Sequence, residues 1–140
     1  MKILLAVDGS ENSTRAARFV IKLAKSLAKP PRILLVHVDA PLLEGVKRHL
    51  GEQGTADYHA DNARYAFKGA RTVLVRARQA YEPMPLIGDA HKVIVETAVK
   101  QRADMIVMGS RGLNALSGLF MGSVTTKVVA LSEVPVTVVR

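Results

Sequence analysis

A three-layer α/β domain, with an open, parallel, five-stranded sheet between helices on both faces, is the fold this sequence predicts. Three observations predict it. Short apolar runs rich in Ile, Leu, Val and Met alternate with longer segments whose apolar residues recur at helical spacing. The runs are continuous rather than alternating with polar residues, as in strands buried on both faces. Consecutive runs are separated by helix-length stretches, and parallel neighbours require such crossovers.

Residues 2–7 form the first run, ended by Asp8-Gly9-Ser10, which reads as a strand and a tight turn. Ser10 or Asn12 can cap the following helix, and Glu11 lies near its positive end. That helix is expected over about 12–28, with Ala16, Val20, Leu23, Ala24 and Leu27 on its inner face and Pro30-Pro31 as its stop. Arg15, Arg18, Lys22, Lys25 and Lys29 form a basic stripe on another face. The second strand covers 32–38. Residues 39–56 hold three glycines, a proline and mixed charge, and predict an irregular connection with a short helix around 43–50.

Helical spacing returns over 57–81, where Ala63, Ala66, Phe67, Ala70, Val73, Leu74 and Ala77 make the buried stripe. Pro83-Met84-Pro85-Leu86-Ile87 allows a brief edge strand, because prolines cannot donate to a ladder. Asp89 is read as the cap of a third helix with Val93, Ile94 and Ala98 facing inward. Residues 104–108 form the fourth strand, 123–131 the last helix and 136–139 the fifth strand.

Composition narrows the function classes. The 140 residues include no cysteine, which excludes disulfide frameworks, thiolate zinc sites and cysteine nucleophiles. No apolar stretch reaches membrane-spanning length, and the first run meets Asp8 too early for a signal-peptide core; a cytoplasmic protein is expected. The formal charge of +8 favours anionic partners without selecting one. Aromatics are 4% of the chain and tryptophan is absent, so a base-stacking surface for nucleic acid is poorly supplied. His37, His49, His59 and His91 show no metal-ligand spacing and are read as structural or surface residues.

The stretch after the fourth strand carries the chemistry. Gly109, Gly112, Gly122 and Ser123 are spaced G-x2-G-x9-G-[S/T]. Glycines of this kind accept positive φ and let backbone approach a ligand, and a helix start directs free N–H groups at an anion. Ser123 could act as the N-cap or as a hydroxyl donor to phosphate. Asp8, at the carboxyl end of the first strand, could contact hydroxyls or a metal, or close an Asx-turn with Gly9 and Ser10. Arg111 could reach a phosphate or stay solvated. From 105 to 126 there is no Asp, Glu or His, so the loop brings no group to activate water, and Asp8 is the nearby candidate. The chain has no Walker A loop, no G-x-G-x-x-G after a strand and no nucleophile elbow.

This spacing resembles the nucleotide-binding loop of the ATP-binding branch of the universal stress protein family. The opening KILLAVDGSENS and the closing VPVTVVR resemble that family's first and last strands, so residues 1–140 read as one domain of this kind. The resemblance implies sheet order 3-2-1-4-5, in the style of the adenine nucleotide alpha hydrolase-like and Rossmann-like folds. It implies ATP or another adenine nucleotide as ligand, together with Mg²⁺. Its triphosphate would lie against Gly109, Gly112, Gly122, Ser123 and Val124, with Met108 beside them. Asp8 would lie near the ribose or Mg²⁺, and the backbone of Val38 against adenine. A homodimer paired through the strand-five edge, at Val136 and Val138, is also implied.

The function expected is a nucleotide-dependent regulatory or stress-response module with slow hydrolysis at most, in which the apolar 113–121 loop reports occupancy. The alternatives are an ATP-using enzyme of a related fold and a basic protein that binds anions or nucleic acid through the first helix.

Overall fold

The computed structural model describes residues 1–112 and 121–140. In chain order the elements are β1 (Lys2–Ala6), α1 (Glu11–Lys25), β2 (Arg32–Asp39), α2 (Glu44–Arg76), β3 (Tyr81–Ile87), α3 (Ala90–Lys100), β4 (Met105–Gly109), α4 (Ser123–Leu131) and β5 (Val136–Val139). The strands form one sheet in the order β3-β2-β1-β4-β5, and every pairing is parallel.

The continuous apolar strands divide their side chains between two cores. Ile3, Leu5, Ile33, Leu35 and Val107 meet Ala16, Val20, Phe67 and Leu74 of α1 and α2. Leu4, Leu34, Val36, Ile106 and Met108 meet Ile94 and Ala98 of α3 and Val128 of α4. Burial on both faces explains why the runs have no polar alternation. α1 ends at Lys25, short of the expected 28; Arg15, Arg18, Lys22 and Lys25 on it and Lys29 beyond it are exposed, as on a solvated outer face. Among the described residues, no helix is long and apolar enough to cross a membrane.

Three sequence expectations need correction. The region read as irregular is helical from Glu44, and the helix breaks at Gly51 (φ 73°, ψ 177°) before running on to Arg76. Asp89 occupies the N-cap position of α3 but makes no side-chain cap bond; its carboxylate pairs with His91 Nδ1 at 2.7 Å. β3 is longer than the expected 83–87 and pairs with β2 from Tyr81 to Ile87. It is an edge strand, as its prolines require. Pro83 and Pro85 are two residues apart, so their missing donors fall on the same side, the open one.

Candidate functional site

The order β3-β2-β1-β4-β5 reverses its winding between β1 and β4, and ligands of open α/β sheets bind beyond the carboxyl ends of strands at such a point. A cavity of about 440 Å³ lies there, within the size range of small-molecule sites. Asp8, Val38, Met108, Gly109, Gly112, Gly122, Ser123 and Val124 all line it. The structure therefore brings together every residue of the predicted set, and Arg111 with them.

The β1 side is built by a short polar turn. Gly9 holds φ +88°, and a Cβ there would meet the Tyr65 ring at 2.8 Å, so glycine is required twice over. Asp8 Oδ1 accepts from the Ser10 N–H at 3.0 Å and from Ser13 Oγ at 2.7 Å. This is the Asx-turn arrangement, and it orients the carboxylate. Of the two candidate caps, Ser10 is the one used, its Oγ accepting from the Ser13 N–H at 3.2 Å. Asn12 instead donates through Nδ2 to the Arg111 carbonyl at 3.1 Å, tying the start of α1 to the loop after β4.

The β4 side is a backbone cradle. Ser110 N–H donates to Val139 O at 2.7 Å, and Thr125 Oγ1 to Gly109 O at 2.9 Å. Gly122 is the N-cap of α4, so Ser123 is the first helical residue and not the cap. The Gly122 N–H donates to Ser110 O at 2.8 Å and is spent on closing the two arms of the loop. The first bond of α4 runs from Thr126 N–H to Gly122 O at 3.0 Å. The N–H groups of Ser123, Val124 and Thr125 thus have no acceptor within the helix, which leaves the positive end of α4 at the cavity.

Neither Gly109 nor Gly112 takes positive φ, contrary to expectation. Gly109 is needed for close approach to backbone, whereas a side chain at Gly112 would displace the Asp8 carboxylate. A Cβ on Gly109 would lie 2.7 Å from Asn12 Cβ, and one on Gly112 would collide with Asp8 Oδ2.

Sequence reasoning missed the wall opposite the cradle. Asp39 ends β2, and its Oδ2 is 2.6 Å from His59 Nδ1 and accepts from Asn62 Nδ2 at 2.9 Å. His37 turns Nδ1 to Val7 O at 2.9 Å. Asp39, Asn62, His37 and Tyr65 line the cavity, so Asp8 is not its only titratable group. Asp39 follows Val38 directly and was open to the same switch-point reasoning. Asn62 and Tyr65 arrive from the docking of α2, which no motif announces. Residues 113–120, most of the apolar loop assigned a reporting role, lie outside the described residues.

Burial works against ionisation of Asp39, but hydrogen bonds from Asn62 and His59, with the charges of His59 and His37, outweigh it and hold the carboxyl below its ordinary value. A depressed folded-state pKa stabilises above the unfolded value of about 4 and is lost as pH falls through the folded one. Acid unfolding followed by circular dichroism is accordingly expected to show a shallower pH dependence below about pH 4 in Asp39→Asn than in wild type. Identical acid profiles would show that the cluster adds no pH-linked stability.

The sequence matches the Universal stress protein family over residues 1–140. The chain belongs to this family. A universal stress protein of Thermus aquaticus, from the QAH/OAS sulfhydrylase 3′ region, is 36% identical over 139 residues, covering 99% of this chain and 97% of the relative. Among solved structures, protein MJ0577 of Methanocaldococcus jannaschii superposes with a TM-score of 0.75 at 26% identity, over 99% of this chain and 94% of the other. A universal stress protein in complex with cAMP gives 0.71 at 25%, over 100% and 97%.

Proposed function

We propose that this universal stress protein binds an adenine nucleotide, ATP in particular, and uses its occupancy as a regulatory signal. The observation that carries the reading is the convergence of the G-x2-G-x9-G-S residues, Asp8 and Val38 on one cavity at the switch point. The similar structure in complex with cAMP supports an adenine nucleotide as the ligand class.

The residues suit such a ligand. Gly109, Gly112 and Gly122 leave room against the backbone, and the first-turn N–H groups of α4 suit phosphate oxygens. Val38, half-buried beside Asp39, would present its backbone to the base edge. Mg²⁺ would rest on Asp8, which lines the cavity, and on the phosphates. When bound, the ion would neutralise phosphate charge.

Slow turnover follows from how the acids are held. Asp8 is engaged by Ser10 and Ser13, and Asp39 by His59 and Asn62. Neither stands as an uncommitted base for water. A bound nucleotide would tie Gly112 to Ser123 across the loop between them and so favour one state of the segment they flank.

Mass spectrometry of nucleotide released from the purified protein, with calorimetric titration of ATP, AMP and cAMP, tests the reading. Co-purified adenine nucleotide or saturable binding is expected. Absence of both would leave the cavity without a nucleotide role.

Assembly belongs to the same proposal. β5 is the second sheet edge, and unlike β3 it has no proline within it to blunt it. Pairing of this edge, with Val136 and Val138, across a two-fold axis would bury it. Sedimentation equilibrium should return the mass of two chains; the mass of one at micromolar concentration would overturn this part.

A further inference from the structure

A second cavity, of about 810 Å³, lies between α2 and the carboxyl end of β3 and differs in chemistry from the first. It exists because the α2 face above it is made of small residues. Ala56, Ala60 and Ala63 precede Phe67 on one helical stripe, where larger aliphatic side chains would have filled the space over Pro85 and Ile87. The cavity wall is dominated by hydrocarbon, and Ile87 remains 53% exposed at its mouth.

The charged groups at this cavity are mainly cationic. Lys47, Arg64 and Arg71 line it. Arg71 makes no ion pair with any described carboxylate, and Arg64 pairs with Asp61 only on the surface, where both side chains are largely exposed. Lys47 is held by Glu44 in a similar surface pair. Such pairs contribute little and exchange readily. Of the acids, Asp39 is already compensated by His59 and Asn62, which leaves Glu52. Arg64 and Arg71 are seven residues apart, two turns along α2, and their planar forks suit a carboxylate.

We propose that this second cavity binds a medium- or long-chain fatty acid, with the hydrocarbon tail along the alanine stripe, Phe67 and Ile87, and the carboxylate among Arg64, Arg71 and Lys47. An apolar wall under a cationic rim complements an amphiphilic anion and disfavours both a neutral polar ligand and an amphiphilic amine. The two cavities share His37 and Asp39 in their walls, so they are neighbours whose linings differ in chemistry.

Titration of the full chain with dodecanoate below its micelle concentration, followed by calorimetry and amide chemical shifts, tests the assignment. Saturable binding is expected, with shifts at Ala60, Phe67 and Ile87. Ala60→Trp, at an exposed helix position, fills the cavity and should weaken dodecanoate at least about tenfold while leaving nucleotide titrations unchanged. Arg71→Glu should weaken dodecanoate by about tenfold or more while sparing dodecanol. No binding, equal binding to Ala60→Trp, or shifts centred on Gly109, Gly112 and Ser123 would each overturn the proposal. The last result would place the amphiphile in the nucleotide cavity.

Discussion

Gly122→Val is expected to fold and to lose nucleotide. A Cβ at this position would lie 3.5 Å from Arg111 Cα and from Gly112 N, and 3.8 Å from Ser110 O, which is ordinary contact. The backbone angles, φ −71° and ψ 160°, are open to valine. The fold therefore tolerates the residue, at a cost of about 1 kcal/mol for a poorer N-cap than glycine. The two γ-methyls are another matter. They extend past the Cβ into the space between Gly112 and the first turn of α4, where phosphate oxygens would meet the N–H groups of Ser123 and Val124. Excluding them forfeits charge-assisted hydrogen bonds worth about 1.5 to 3 kcal/mol each. A loss of about 100-fold in ATP affinity, or about 2.7 kcal/mol, is the expected minimum. Calorimetric titration reads the affinity, and a thermal melt on the same sample confirms folding. Wild-type affinity in a folded Gly122→Val would mean that the nucleotide does not use this cradle.

The contrast between well-read and badly read elements has a physical basis. β1, β2 and β4 were legible because burial on both faces enforces unbroken apolar runs, and α4 because a glycine and a serine precede its apolar stretch. The first half of α2 was not. Gly45, Gly51 and Gly54, set among charged residues, erase the helical period there, and exposed Leu43, Val46 and Leu50 mark no single inner face. The segment is helical because its backbone satisfies itself, with Gly51 absorbing the change of direction. In β3 the prolines argued for a short strand, yet only the N–H groups that face β2 matter to the ladder, and these belong to the residues that alternate with the prolines.

The cradle of the site was legible for a related reason. Close backbone approach demands glycine at Gly109, the proposed phosphate would demand it at Gly122, and both are written in the glycine spacing. The opposite wall carries no such demand. Asp39, Asn62 and His59 meet because α2 docks beside the end of β2, and residues some twenty positions apart acquire a shared hydrogen-bond cluster that leaves no local pattern. The use of the glycines was also only partly foreseen. The spacing suggested unusual φ, whereas the structure uses the absence of Cβ.

That distinction sets the expectation for Gly109→Ala, a change of one methyl group away from any ordinary core position. The new Cβ would lie 2.7 Å from Asn12 Cβ, 2.8 Å from Asn12 C and 3.0 Å from Asn12 O. Two of these three neighbours are backbone in the first turn of α1, so no rotamer change relieves the overlap. Nor can the turn slide freely. Ser10 caps it, Asn12 Nδ2 anchors it to the Arg111 carbonyl, and Ser13 binds Asp8. Relief requires α1 to move from β4 and to strain those bonds, an overpacking cost of about 2 kcal/mol. For a chain of this length that corresponds to a fall in Tm of about 6 °C in a reversible melt. Gly122→Ala, with its nearest atoms at 3.5 Å, serves as the control and should fall by only about 3 °C, the share of its poorer N-cap. Each alanine variant adds one methyl, so a larger fall in Gly109→Ala than in Gly122→Ala reports the contact with α1. Equal melting temperatures would show that α1 yields without cost and that Gly109 is not required by packing.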